Sequence, residues 1–401
     1  MANINIHTLD ELSTDGRGYY GIGASAVDYS EDLPTYLRIT DINDDGTLNI
    51  EGLKSVDDEK SFDYLLKPND IVFARTGAST GRNYFYDGDD GTFVYAGFLI
   101  KFSLDPNKVN PKFVKYYCQS PEYKGWIHSF NTGSTRGNIN AQTLGKMPIP
   151  LPPRKQQDRM VSILEKFDKK IRINNAINKN LSAQIETLLL AYLDIEDALT
   201  VKLGDYLYIK GRIGWKGLKK SEYLLQSEYR IINGETLTQS GIDWNKAGYI
   251  SEERYLESPE IMLKVGDILL SKDGTIGKIG YVDSLELPTS VASGIFVIRN
   301  TKPHIISTTF IYYLLKSQLF TSFTAARTEG SVIPHLYQKD FMEFEFPLPP
   351  ADKMAEFEDI AEPMFSQIVN NLNENKRLAL LRDSLLPKLM SGELDVSAFV
   401  L

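Results

Sequence analysis

The chain has 401 residues, 42% apolar and 24% charged, which excludes a disordered or fibrous protein and leaves room for two or three domains. Its single cysteine, Cys118, excludes an internal disulfide framework or a cysteine-based zinc cluster and fits a reducing compartment. No stretch approaches the ~20 apolar residues of a membrane helix, and the N-terminus lacks the pattern of a signal peptide, so a cytoplasmic location with no membrane partner is expected.

The net charge of −9, from 44 bases and 53 acids, argues at first against a nucleic-acid partner. Its distribution reverses that reading. Residues 1–60 hold 13 acids against 4 bases (Arg17, Arg38, Lys54 and Lys60), so the remaining 341 residues sum to zero. Within them, segment 202–220 sets Lys202, Lys210, Arg212, Lys216, Lys219 and Lys220 against Asp205 alone, a basic patch of +5 that either meets phosphate or merely solubilises.

In chain order, Gly21-Ile22-Gly23 reads as a turn, since no apolar strand precedes it and no third glycine follows. Asp41, Asp44, Asp45 and Asp57 lie across apparent turns and read as a solvated acidic surface; the spacing is not that of a calcium loop. Ile71-Val72-Phe73 and Phe98-Leu99-Ile100 are short β-type runs bounded by turn residues, and a helix carrying Phe113 and Tyr116 is expected to pack on their sheet. Leu151-Pro152-Pro153 then ends the strand pattern and leads stiffly into a helix. Along that helix Leu164, Phe167, Ile171, Asn174, Asn178, Leu181, Ile185, Leu188 and Tyr192 step alternately by three and four, the spacing of a helix-pairing seam.

The second half repeats the first at an offset of 197 residues. Pro150-Leu151-Pro152-Pro153 returns as Pro347-Leu348-Pro349-Pro350, Gly133-Ser134 as Gly330-Ser331, and Phe113 with Tyr116 as Phe310 with Tyr313. Leu66-Lys67-x-x-Asp70-Ile71 returns as Leu263-Lys264-x-x-Asp267-Ile268. The start of each copy aligns poorly; Arg38-Ile39 against Arg230-Ile231, at an offset of 192, is the best anchor. The seam returns as Ala361, Met364, Ile368, Asn371, Asn375, Leu378, Arg382, Leu385 and Leu389, with both asparagines kept and Arg382 the clear departure. Asparagine on a seam weakens a core yet fixes register. The expectation is therefore an α+β protein: two pseudo-symmetric domains separated by an antiparallel two-helix coiled coil, in which the 33 residues 161–193 would span roughly 50 Å. The expected boundaries are 1–152, a central helix over 153–195, 196–349, a distal helix over 350–395 and a tail over 396–401.

Catalytic signatures are missing from the sequence. It has no G-x-x-x-x-G-K-[ST] phosphate loop, and its four histidines, His7, His128, His304 and His335, have no neighbour at metal-ligand spacing. Two related heads on a spacer suit a reader of a two-part linear target, and duplex DNA is the obvious one. Two rivals remain open at this level: a metal-dependent nuclease whose acids converge only on folding, and a protein–protein scaffold with no DNA role.

The segment Leu151-Pro-Pro-Arg-Lys-Gln-Gln-Asp-Arg-Met-Val-Ser-Ile-Leu164 and the closing Arg382-Asp-Ser-Leu-Leu-Pro-Lys-Leu-Met-Ser-Gly-Glu393 resemble type I restriction–modification specificity subunits, as does the two-copy layout. One departure is Pro363, which should break or offset the second helix near its start. The resemblance implies that each domain is a target-recognition domain reading one half of an interrupted, double-stranded DNA sequence. It also implies that the helices set the gap and dock two methyltransferase subunits, with motor–nuclease subunits joining for restriction. The chain itself would be non-catalytic and bind no cofactor; S-adenosylmethionine, ATP and Mg²⁺ would act on the partners.

Two loops per domain carry the residue types that suit base edges and phosphates. In the first copy Arg75, Thr76, Ser79, Arg82 and Asn83 lie on one loop and Thr135, Arg136 and Asn138 on the other. In the second copy Lys272, Thr275 and Lys278 lie on one and Arg327 and His335 flank the other, with Lys210 and Arg212 added from the basic patch. Tyr19, Tyr20 and Trp215 are further candidates for stacking, with a place in the core as the plainer reading. The helix-pairing residues are Ile171, Asn174, Asn178, Leu181, Leu188, Ile368, Asn371, Asn375, Leu378 and Leu385. If the helices act as a ruler, inserting four residues within 174–180 changes the permitted gap between half-sites; an unchanged gap in the methylated motif would refute the ruler.

Overall fold

The computed structural model describes residues 5–50, 52–130, 138–212, 217–238, 241–328 and 335–394. The chain forms two compact units, Met1–Arg172 with Asn375–Leu401, and Ile173–Glu374. Two helices of 40 residues each, the central helix Arg154–Leu193 and the C-terminal helix Ala351–Met390, contribute a stretch to both units. The linear division read from sequence misses this, because each long helix is shared between two cores.

In the first unit, strands Tyr19–Tyr20, Leu99–Ser103, Asp70–Ala74 and Asn83–Tyr86 lie in that order in an antiparallel sheet. A second sheet orders Ala26–Val27, Lys54–Val56, Thr35–Leu37 and Phe93–Tyr95, the last pair parallel. The second unit repeats the first sheet as Leu207–Gly211, Ile295–Asn300, Ile268–Ser271 and Ile279–Tyr281. Its other sheet orders Gly248–Ile250, Tyr229–Ile232 and Thr289–Val291, again with one parallel pair. In both units the Leu-Lys-x-x-Asp-Ile motif is a turn held by its own carboxylate. Asp70 and Asp267 are buried and accept the main-chain N–H of Lys67 at 2.8 Å and of Lys264 at 2.7 Å. Lys101 balances the first charge and Arg299 the second.

The parallel pairs correct the early alignment. Leu37 carbonyl accepts from Ala96 N–H and Ile232 carbonyl from Ala292 N–H, so Leu37 is equivalent to Ile232 and Arg38 is not equivalent to Arg230. The offset falls from 197 at Leu66 to 195 at Leu37 because the second copy carries two more residues between the matching points. The acidic stretch also differs from a uniformly solvated surface: Asp41 is buried on Arg38, and Asp44 pairs with Arg82.

Each domain closes through a two-stranded ribbon, Asn5–Thr8 with Pro148–Leu151 and Leu199–Lys202 with Glu345–Leu348. Pro148 and Pro150 occupy alternate positions of their strand, as prolines must where only one side of the ladder is used. Pro153 and Pro350 carbonyls then accept the first helical N–H groups, from Gln157 and Met354. Helices Pro111–Tyr117 and Thr308–Lys316 carry Phe113, Tyr116, Phe310 and Tyr313 into the two cores as expected.

Within each unit the long helices run antiparallel. In the second unit Asn371 Nδ2 donates to Asn178 Oδ1 at 2.8 Å, Asn174 Nδ2 to Glu374 Oε2 at 2.7 Å, and Tyr192 stacks edge-on against Phe357. As one residue number rises the other falls. Asn174, Asn178 and Asn371 are buried, while Ile171, Leu181, Leu188, Ile368, Asn375, Leu378 and Leu385 are half-buried along the same faces. Buried amides that satisfy one another tolerate only one register, because a slip strands them unpaired.

Arg382 has its own explanation. Asp168 accepts from Arg382 Nη1 at 2.9 Å, from Lys115 at 3.1 Å and from Tyr116 Oη at 2.7 Å, so one carboxylate joins the domain helix and both long helices. At the offset of 197 these four residues become Phe365, Ile185, Tyr312 and Tyr313. Phe365 packs on Tyr312 and Tyr313 with ring centroids 5.2 and 6.0 Å apart, and Ile185 belongs to the same core. One joint is ionic and its twin is aromatic. Pro363 does not break the C-terminal helix: it and Asp359, whose carbonyl loses its partner, are exposed, and water can take that carbonyl.

Burial works against the Asp168 charge, but Lys115, the Tyr116 hydroxyl and Arg382 outweigh it and hold the pKa below the usual carboxylate range. Arg382→Ala is expected to cost the first unit about 1–3 kcal/mol, less than a fully buried pair because Lys115 remains. Because the folded pKa is lowered, that increment is full above about pH 4 and fades as acid protonates Asp168. Urea unfolding of the variant against wild type reads it, and the double change Asp168→Phe with Arg382→Ile should recover more than the two single changes predict together.

Candidate nucleic-acid interface

The two loops of each domain meet at one residue. In the first unit the chain leaves strand Asp70–Ala74 at Arg75, whose N–H donates to Phe98 carbonyl at 3.0 Å and whose carbonyl accepts from Ile139 N–H at 2.9 Å. A β-bridge then pairs Thr76 with Asn138. The loop returns through Gly77 and Gly81 at positive φ, with the Thr80 hydroxyl on Gly77 carbonyl. Gly81 is obligatory: a Cβ there would lie 2.4 Å from Ile127 Cγ2. Above this clamp the Arg75 guanidinium carbon lies 5.2 Å from the Tyr20 ring centroid and 5.8 Å from that of Phe98. Tyr20 is steadied by its hydroxyl, which accepts from Ala141 N–H at 3.1 Å. Arg75 Nε is buried and finds no acceptor among the described residues.

The second unit builds the same clamp at Lys272. Its N–H donates to Gly294 carbonyl and its carbonyl accepts from Leu336 N–H, both at 2.9 Å, and Asp273 bridges to His335. The His335 ring meets the Asp273 carboxylate through Nδ1 and stands edge-on to exposed Tyr337, centroids 4.5 Å apart. The side walls are reversed. Strand register makes Gly211 the counterpart of Tyr20, and Gly294 the counterpart of Phe98. Lys272 runs past Gly211, where an added Cβ would lie 3.4 Å from Lys272 Cε, and over the buried ring of Phe296 at 5.2 Å.

Two segments, residues 31–183 and 196–381, match the family described as type I restriction modification DNA specificity domain. The chain belongs to that family. Among its relatives, the type I restriction enzyme MjaIX specificity subunit of Methanocaldococcus jannaschii is 21% identical over 308 residues, covering 71% of this chain and 69% of the relative. The putative MjaX specificity subunit of the same organism is 24% identical over 396 residues, covering 90% and 87%. A crystal structure of a type I restriction–modification system S subunit from M. genitalium matches 97% of this chain and 96% of its own, with a TM-score of 0.53 at 19% identity, a likeness of fold. The chain is thus a specificity subunit with two recognition domains. Among the described residues no three or more of His, Cys, Asp or Glu gather to hold a metal ion, and no helix is long and apolar enough to cross a membrane.

The predicted readers sort unevenly on the two specificity domains. Arg75, Thr76, Asn138, Lys272 and His335 converge at the clamps, with Ser79 and Thr275 on the same loops. Two residues are corrected to structural roles. Arg212 is 2% exposed and donates to Val291 carbonyl and the Ser258 and Ser290 hydroxyls, with Glu257 at 4.0 Å. Asn83 is 3% exposed, donates to Cys118 carbonyl and accepts from Gln119. Arg82 is half-buried on Asp44 and Ile42 carbonyl, Lys278 donates to Gly234 carbonyl, and Arg327 lies 3.7 Å above the Phe323 ring. Lys210 lies beside Tyr208 on the strand that ends at Gly211. Thr135, Arg136 and Trp215 lie outside the described residues. Phe98 and Tyr337 were missed; both are large rings left exposed beside a clamp, at 57% and 62%. Arg212→Ala is expected to destabilise the second domain by about 2–4 kcal/mol, measured by thermal melting, while below the melt the affinity for duplex and its salt slope stay at wild-type values.

Proposed function

We propose that the subunit reads an interrupted duplex sequence, with each specificity domain presenting its clamp and the cation at its centre, Arg75 or Lys272, to one half of the target. The observation that carries this reading is the clamp itself, built twice with the same main-chain bonds and opposite side walls. Constant backbone with exchanged walls suits two domains of one mechanism and different base preference. The Arg fork suits guanine O6 and N7; Lys reaches the same atoms with a single charge, and Asn138 or the His335 ring stands beside it.

In this reading the chain performs no chemistry. Two methyltransferase subunits dock on the helices and supply adenine methylation from S-adenosylmethionine, and motor–nuclease subunits use ATP and Mg²⁺ for translocation and cleavage. The assembly works in the cytoplasm, on double-stranded DNA. The family and the specificity-subunit relatives support it.

The test uses the full chain co-purified with its methyltransferase subunits and duplexes carrying the methylated motif with one half altered at a time. Arg75→Ala is expected to relax discrimination at one half by about 5- to 150-fold, and Lys272→Ala at the other half only. Equal losses at both halves would overturn modular reading. Labelled methyl transfer by the chain alone should be nil; turnover without partners would contradict the non-catalytic assignment.

A further inference from the structure

We infer that Arg75 and Phe98 form a single composite reader in the first specificity domain, with Arg75 taking a guanine and Phe98 taking the C5-methyl of a thymine within two base-pair steps of it. This rests on the reading above and adds a residue that residue type alone does not suggest.

Phe98 stands at the tip of the tight connection between strands Phe93–Tyr95 and Leu99–Ser103, which is closed by Leu99 N–H on Ala96 carbonyl at 2.8 Å. A phenylalanine 57% exposed on such a tip gains little from its own fold. Its main chain is nonetheless tied to Arg75, because Phe98 carbonyl takes the Arg75 N–H. Ring and guanidinium are therefore positioned as one unit, 5.8 Å apart, with Tyr20 as a second ring at 5.2 Å.

The guanidinium lacks an acceptor. Both main-chain groups of Arg75 are bonded, yet no side-chain bond from Arg75 reaches any described residue, and Nε is shut away from water. Its terminal Nη groups are not shut away and make no bond to a described residue, so they are left for an acceptor from outside the domain. A phosphate would satisfy the charge but would leave the apolar ring beside it with nothing to cover. A base edge satisfies both: guanine offers O6 and N7 to the fork, and a thymine methyl offers an apolar contact of the kind phenylalanine makes in the major groove. Successive base pairs rise about 3.4 Å, so groups 5.8 Å apart fall within two steps. The second domain has glycine at both wall positions, Gly211 and Gly294, so no ring stands at the position of Phe98.

The experiment uses the chain in complex with its methyltransferase subunits and the motif that the complex methylates. Each thymine of the half-site read by the first domain is replaced in turn by deoxyuridine, which removes only the methyl, and each guanine by 7-deazaguanine, which removes only N7. One deoxyuridine position should weaken wild-type binding about fourfold and leave Phe98→Ala indifferent. A 7-deazaguanine within two steps of it should weaken wild type at least about fivefold and leave Arg75→Ala indifferent. Phe98→Ala should melt with the wild-type protein, since the ring is exposed. Wild-type indifference to every deoxyuridine, or equal sensitivity in Phe98→Ala, overturns the methyl contact. A uniform loss across sequences in Arg75→Ala, with no response to 7-deazaguanine, places Arg75 on phosphate and overturns the composite reader. Either result leaves two-part recognition intact, whereas a complex that methylates no two-part motif removes the underlying reading as well.

Discussion

The structure depends on how a short domain helix closes against two long ones. In the first unit Asp168 alone receives Lys115 and Tyr116 from the domain helix and Arg382 from the C-terminal helix. Without it Arg382 would be a guanidinium on a half-buried helix face with, among the described residues, only Asp383 to meet it. In the second unit the same positions are an aromatic and aliphatic cluster around Phe365, where no charge needs compensation. The neighbouring contact repeats as well: Lys112 with Glu165 in one unit, the Thr309 hydroxyl on Glu362 in the other. Geometry has been kept while chemistry was exchanged in concert, because replacing one partner alone would leave a buried charge without a counter-ion.

That exchange explains which parts of the fold were legible. Seam spacing identified the long helices and the asparagine layers because apolar and amide residues recur at fixed steps. Asp168 was invisible to the same logic, since an acid one position off the expected seam looks like an ordinary solvated residue. Its signal was indirect. Arg382 sits on a seam position where its twin is Ile185, and a cation there requires an anion opposite. Pro363 misled for a related reason: propensity penalises proline inside a helix, but the penalty is small where the freed carbonyl faces water.

At the candidate interface, residue type gave the right loops and a mixed set of side chains. Arg75 and Lys272 could be picked out because they follow a buried strand and precede a glycine turn. Arg212 and Asn83 have the same chemistry but lie inside, where burial by the rest of the domain decides their role. Asn83 carried a warning, since it opens the run Asn83-Tyr84-Phe85-Tyr86, which becomes a fully buried strand. Nothing comparable marked Arg212. Its ladder of carbonyl and hydroxyl acceptors comes from residues 258, 290 and 291, far along the chain.

The side walls of the clamps show why a repeat of this kind can change its target without losing its fold. Tyr20 and Phe98 are exposed, and their counterparts Gly211 and Gly294 carry no side chain, so neither pair contributes much to its core. The bonds that shape each clamp are main-chain bonds at residues 75, 98 and 139 and at 272, 294 and 336, and they are indifferent to what the walls carry. Side-chain identity at the exposed walls Tyr20 and Phe98 is therefore set apart from the bonds that fix the backbone. A change there alters the groups offered to a base edge while strand pairing, the asparagine layers and the helix joints stay as they are. The positions that hold the fold and the positions that set preference are separated by burial, and that separation allows one scaffold to carry two different readers in a single chain.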